Sequence, residues 1–207
     1  MKPGRPAADR GHAVKQQLLA AARNLFAQHG YAGVSIRAVA DAAAVNPAMI
    51  HYYFDNKAGL YAAMLADSFT PLMHRISSIV GSADEPAALK DFLSVYMRSL
   101  GSNPWMPPLI LREVVAEGGH LRGWFIQQFA APGGGLLTLL VQREQSAGRI
   151  RADADPTLTA LSLLSLAVFP FVAMPVTREL TGLRIKEGYL DRLVAHTERL
   201  FLEGLKP

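Results

Sequence analysis

Cysteine is absent from the 207 residues. Its absence excludes a disulfide framework, a thiolate metal site and a Cys nucleophile, and it fits a reducing compartment, so a cytoplasmic location is expected. Charge is also scarce, at 18% of residues, yet half of the chain is apolar, which excludes a disordered composition. No stretch alternates in the manner of a strand, and there is no internal repeat or low-complexity tract. Met1 to Gly11 lacks the apolar run of a signal peptide. Catalytic motifs are missing too: there is no GxSxG and no HExxH, and the triplet Gly133-Gly134-Gly135 runs into Leu136 and Leu137 where a phosphate loop needs Lys and Ser/Thr. The six histidines, at positions 12, 29, 51, 74, 120 and 196, show no ligand spacing. An enzyme would need ionisable groups converging in a pocket. None is legible, so no catalytic residue, metal or cofactor is expected.

The charge that is present is unevenly placed. Residues 1–60 hold seven Lys/Arg (Lys2, Arg5, Arg10, Lys15, Arg23, Arg37, Lys57) against three Asp, whereas the remainder balances 14 against 14. A basic head on a neutral body suits a polyanionic partner, although a chance excess of four charges reads the same way.

The periodicity is helical throughout. A polar, basic arm is expected over residues 1–11. Val14, Leu18, Ala22, Leu25 and Phe26 then step by three and four, with Gly30 as a stop. Ser35 can cap a short helix whose stripe is Ile36, Val39, Ala40 and Ala43. Asn46-Pro47 starts another, because Asn caps well and Pro loses nothing at the first helical position. A long fourth helix begins at Lys57 and carries Pro71, which usually kinks a helix. Gly81 to Pro86 reads as a linker. Further helices are expected at about 86–100, 107–118, 121–148 (interrupted near Pro132–Gly135), 156–174 and 186–204, about nine helices in all. Thr157 to Val176 runs for 20 residues without a charge, long enough to span a bilayer. Its Thr, Ser and Pro residues favour a helix buried on most faces of a protein instead, and no membrane association is expected.

Two short helices joined by a tight turn, after a longer one, suit a helix-turn-helix that places its second helix in a major groove, or three ordinary bundle helices. The residues separate these readings. Ala32-Gly33-Val34-Ser35-Ile36-Arg37-Ala38-Val39-Ala40, followed by Val45-Asn46-Pro47-Ala48-Met49-Ile50-His51-Tyr52-Tyr53-Phe54-Asp55-Asn56-Lys57-Ala58-Gly59-Leu60, closely resembles the signature of the tetracycline-repressor (TetR) family. The match runs over about residues 13–65, and the run Tyr52-Tyr53-Phe54 with Lys57 and Leu60 is its most specific part.

The resemblance implies an all-α protein with a helix-turn-helix DNA-binding domain over 12–56 and a ligand-binding and dimerisation domain over 57–207. It implies a ligand-responsive repressor that reads a palindromic double-stranded operator as a homodimer. Position by position, Ser35 and Arg37 resemble backbone contacts, with Arg37 able to reach a base. Pro47, Ala48 and Met49 stand where base edges are faced. His51, Tyr52 and Lys57 stand at phosphate positions, and Tyr53 either packs or donates to a phosphate. Many relatives have glycine at Ala48, a small polar residue at Met49 and tyrosine at His51. With no strong hydrogen-bonding side chain at 47–49, base readout there must be apolar, against thymine methyls. The same departures keep open a helical ligand-binding or adaptor protein that has lost DNA binding. The arm with Lys2, Arg5 and Arg10 is either a minor-groove contact or a solvated tail.

In the body, Phe69, Met73, Trp105, Met106, Ile110, Trp124, Phe125 and Phe169 could line a pocket for a largely apolar small-molecule effector, or simply pack a core. Glu113 could orient such a ligand or sit on a solvated face. Pro71 could serve a switch between the domains or packing alone. The uncharged helix and the stripe Leu190, Leu193, Val194, Thr197, Leu200, Phe201 suggest a four-helix dimer interface through the last two helices.

Overall fold

The computed structural model describes residues 7–82, 88–181 and 188–206. Its elements are helices α1 (Ala7–His29), α2 (Ile36–Ala42), α3 (Ala48–Phe54), α4 (Lys57–Gly81), α5 (Ala88–Ser102), α6 (Met106–Ile110), α7 (Arg122–Phe125), α8 (Ala131–Ser146), α9 (Pro156–Val172), α10 (Met174–Thr181) and α11 (Tyr189–Gly204). Two π-turns extend them, Leu111–Val115 after α6 and Ile126–Ala130 between α7 and α8. The described residues contain no strand, so the protein is all-α as expected.

Three boundaries differ from the sequence expectation. Helix α1 already starts at Ala7, so residues 7–11 of the expected arm are helical. Ala7 and Ala8 favour helix strongly, and the single Gly11 costs only about 1 kcal/mol. Residues 1–6 of the arm and 83–86 of the linker lie outside the described residues. The rod 122–146 is not interrupted at Pro132–Gly135. The irregularity sits upstream, where Ala131 donates its N–H to Ile126, the wider spacing of a π-turn. Pro132 then falls in the first turn of α8, where a missing N–H is harmless. The uncharged segment breaks at Ala173, and α9 and α10 meet at a 62° bend. Pro175, in the first turn of α10, suits a new helix start rather than a continuation.

Two apolar clusters hold the molecule. The first joins α1, α2 and α3 (Leu18, Phe26, Val39, Ile50, Phe54) to the first half of α4 (Leu60, Tyr61, Met64, Leu65) and to Met106 and Leu109 of α6. The second joins the far half of α4 (Leu72, Ile76, Val80) to α5, α8, α9 and α11. Helix α4 therefore belongs to both, running through the exposed Pro71. The rod 122–146 is long and apolar enough to cross a membrane. However, it carries Glu144, a buried carboxylate that takes two bonds of 2.9 Å from Arg149, and Arg143, which donates to the Val80 carbonyl of α4 (2.6 Å). Those polar ties fit a helix packed within a protein.

Helix α9 is not buried on most faces. Thr159, Ala160, Leu163, Ala167 and Phe171 face inward, whereas Leu158, Leu161, Leu166 and Phe169 are exposed. In α11 the stripe turns inward: Val194, Thr197 and Phe201 are buried, and Leu190 and Leu193 pack against the second cluster. Of that stripe, Leu200 is exposed.

Candidate DNA-binding face and effector cavity

The α2–α3 unit is fixed by its caps. Ser35, extended at φ −98°, accepts the N–H of Ala38 on its hydroxyl (3.1 Å) and starts α2. Arg37 is exposed on the first turn. Ala44 takes a left-handed conformation (φ 54°) to turn the chain, and Asn46 accepts the N–H of Ala48 (2.9 Å) to start α3. Ala48, His51 and Tyr52 are exposed along α3, with Tyr52 78% accessible. Pro47 is half-buried, and Met49 packs part of its side chain on the first cluster. Tyr53 packs there as well, edge-on to Tyr52 at 5.0 Å. His51 Nδ1 lies 2.8 Å from the Asp55 carbonyl, which as acceptor fixes the proton on Nδ1 and leaves Nε2 facing outward.

The α3–α4 junction is tighter still. Asp55 reverses the chain at φ 68°, and Asn56 accepts the N–H of Gly59 (2.9 Å) to cap α4. A Cβ on Gly59 would lie 2.0 Å from the Phe54 carbonyl oxygen, so only glycine lets α4 start this close to the end of α3. Lys57, at the first position of α4, holds its ammonium 4.4 Å from the centre of the Tyr31 ring. The structure thus gathers Ser35, Arg37, Ala48, His51, Tyr52 and Lys57 around one helix pair, with Pro47, Met49 and Tyr53 half-embedded between it and the core.

Two adjoining apolar cavities lie in the body, of about 170 and 190 Å³. Phe69, Tyr96 and Phe125 line both. Met106 and Ile110 line the first, with Leu111, Val115, Val168 and Val172, and Met73 lines the second, with Phe129 and Leu164. The Tyr96 ring stacks on Phe92 at 5.5 Å, and its hydroxyl makes no hydrogen bond among the described residues. Burial pushes that hydroxyl up to about 12, so it stays protonated as a donor. A wider cleft of about 540 Å³ lies between α1 and α4, lined by His12, Lys15, Asp67 and His74 among others, but it is open to solvent.

Four of the expected pocket residues lie elsewhere. Trp105 sits under Arg23, whose guanidinium is 5.7 Å from the ring centre and also pairs with Asp67 at 3.1 Å. Trp124 packs edge-on to Phe129 at 5.4 Å without lining either cavity. Phe169 points out of the body, 67% exposed, because it falls about half a turn from the inward pair Ala167 and Phe171. Glu113 is neither a cavity residue nor solvated. It is buried and accepts the Tyr31 backbone N–H (3.0 Å) and Arg112 Nε (3.1 Å). Sequence reading missed Tyr96, Leu100 and Val168. Phe92, Tyr96 and Leu100 recur every four residues, and a tyrosine on that apolar face was the available signal.

A short exposed helix seated by caps on a three-helix core, beneath a separate helical body, defines a DNA-binding regulator of the helix-turn-helix class. Residues 18–64 match the model for the tetR family of bacterial regulatory proteins. The chain is 22% identical over 204 residues to the HTH-type transcriptional regulator RutR of Escherichia coli strain K12, covering 94% of this chain and 92% of that one. It is 24% identical over 157 residues to the HTH-type transcriptional repressor NicS of Pseudomonas putida, covering 75% and 74%. Two solved structures share the fold at a TM-score of 0.74: the fatty acid degradation regulator FadR from Bacillus halodurans (19% identity, 93% and 96% covered) and the ketosteroid transcriptional regulator KstR2 of Mycobacterium tuberculosis (15%, 93% and 95%). Residues 18–64 thus carry a DNA-binding region of the tetR type, and the chain is a DNA-binding transcriptional regulator.

Proposed function

We propose that this regulator is a ligand-responsive repressor that grips a palindromic operator as a two-fold homodimer in the cytoplasm. The observation that carries the DNA half is the exposed group Arg37, Ala48, His51 and Tyr52 next to Lys57, on helices fixed by Ser35, Asn46 and Asn56. Residues 12–56 form the DNA-binding domain in this reading, and residues 57–207 the sensing and dimerising domain. Arg37 makes the polar base contact. Pro47, Ala48 and Met49 offer apolar surface to thymine methyls, and Ser35, His51, Tyr52, Tyr53 and Lys57 approach phosphates.

The effector occupies the two apolar cavities. Their lining favours an elongated, mainly apolar molecule, and the unpartnered Tyr96 hydroxyl favours one that carries a hydrogen-bond acceptor partway along its length. The fatty acid degradation regulator FadR and the ketosteroid transcriptional regulator KstR2, which share the fold, are named for largely apolar molecules of that kind.

The dimer surface is the outer face of α9 with α10 and Leu200 of α11. Leu158, Leu161, Phe169, Val176 and Leu180 leave a run of large apolar side chains in water there, more than a lone subunit normally tolerates. This narrows the expectation of an interface through the last two helices, since most of the α11 stripe is spent on the subunit's own core.

The test is binding of the purified protein to the DNA flanking its own gene, titrated with salt beside an unrelated duplex. Selective binding with a steep salt slope is expected. If selection from a random DNA pool also yields no preferred sequence, the repressor reading fails and the adaptor alternative stands.

A further inference from the structure

The π-turn Leu111–Val115 faces two ways. Leu111 and Val115 line the first cavity. The two residues next to Leu111 reach the other way, to the DNA-binding unit. Arg112 donates Nη2 to the Phe26 carbonyl at the end of α1 (2.9 Å) and Nε to Glu113 (3.1 Å). Glu113 in turn accepts the N–H of Tyr31 (3.0 Å), the first residue past Gly30. The fit is close, because a Cβ on Gly30 would come within 3.1 Å of both Arg112 and Glu113. Gly30 is also left-handed (φ 71°), so the chain turns there beneath the pair.

Tyr31 is the next link. Its ring lies 6.1 Å from Phe26, 5.1 Å from Tyr61 and 5.0 Å from His120, and it carries the Lys57 ammonium at 4.4 Å. The lysine proposed above to meet phosphate is therefore positioned by a ring whose own backbone is held by Glu113. Beneath it the Tyr61 hydroxyl is buried with no hydrogen-bond partner. An orphaned buried donor is costly, so the packing around it is not optimal in this arrangement. A π-turn adds to this, since such turns insert one residue into a helix and can be gained or lost by a small local rewinding.

We propose that Arg112 and Glu113 form a strap between the effector cavity and the DNA-binding face, acting through Tyr31 on the position of Lys57. An occupant pressing on Leu111 and Val115 rewinds the π-turn, moves Glu113 and releases Tyr31, and Lys57 loses its seat. The inference rests on the cavity being the effector site and on Lys57 touching phosphate.

The experiment separates the three. DNA affinity and its salt slope are measured on a short mixed-sequence duplex by fluorescence anisotropy, with thermal melting of each variant as the folding control. Lys57→Ala should lower affinity about eightfold per subunit near 0.1 M salt and flatten the slope by about 1 per subunit. If it does neither, the phosphate reading of Lys57 is what fails. Glu113→Ala should lower affinity at least about threefold and flatten the slope the same way, with no further effect in the Lys57→Ala background. Glu113→Gln, which keeps an acceptor for the Tyr31 N–H, should restore most of the loss. Arg112→Met, at an exposed position, is the second cut should Glu113→Ala melt early, with its own melting curve as the folding control. If both cuts leave the slope unchanged in folded protein, there is no strap. Cavity filling by Val115→Phe tests the other end. It should weaken DNA binding in the parent but not in the Glu113→Ala protein. An equal effect in both, or none in either, detaches the cavity from the strap.

Discussion

Replacing Phe169 by Asp should take the dimer apart while leaving the subunit folded. Phe169 is 67% exposed in the single chain, so its loss removes little of the subunit's own packing. Burying a phenylalanine contributes about 1.5–3 kcal/mol, of which about two-thirds remains available to a partner here, or about 1–2 kcal/mol. A two-fold axis repeats the substitution, giving about 2–4 kcal/mol per dimer before any cost of burying the new carboxylate. At 1.4 kcal/mol per factor of ten, the dimer dissociation constant should rise about 30- to 700-fold. Sedimentation equilibrium across a concentration series would read this directly, with the melting curve as a check on folding. Because each subunit carries one helix-turn-helix, the monomeric variant should also show about half the parent's salt slope on DNA. A variant that keeps the parent's dimer mass at every concentration would refute the assignment of this face. The interface would then have to use another surface, with the exposed leucines of α9 left to some other partner.

Three further outcomes follow from single contacts. Gly59→Ala drives a methyl into the Phe54 carbonyl at 2.0 Å and should cost about 3 kcal/mol, or about 6–12 °C in Tm by scanning calorimetry. A normal Tm would mean that the α3–α4 junction relaxes freely. Lys57→Ala should weaken binding to every DNA sequence alike, and a loss of discrimination with an unchanged salt slope would contradict a phosphate role. Tyr96→Phe should lower affinity about two- to tenfold for an apolar ligand bearing an acceptor, and not for the hydrocarbon of equal length, as followed by tryptophan fluorescence. Equal losses for both would show that Tyr96 contributes shape alone.

The parts of this molecule that could be read from sequence are those decided within a few residues. The caps at Ser35 and Asn46 act over two or three residues, and so does the apolar stripe Ile36, Val39, Ala40. Each implied the helix it starts or buries. What could not be read depends on groups far apart in the chain. Glu113 meets Tyr31 across 82 residues, and Arg112 meets Phe26 across 86. In sequence, Leu111-Arg112-Glu113-Val114 is one more mixed helical stretch, and a carboxylate there suggested a ligand contact or a solvated face. Neither is its role, because the π-turn rotates it inward onto a backbone N–H. Phe169 shows the same limit in reverse. Its aromatic character suggested a pocket, but only the phase of α9 set by Leu163, Ala167 and Phe171 decides which way it points. The apolar pattern states that a face must be covered without saying by what. In α11 it is covered by the subunit's own α5, and in α9 it is left exposed. The distinction carries functional weight, since the covered face shapes the second apolar cluster and the uncovered one would, in the proposed dimer, set the distance between the two DNA-reading helices.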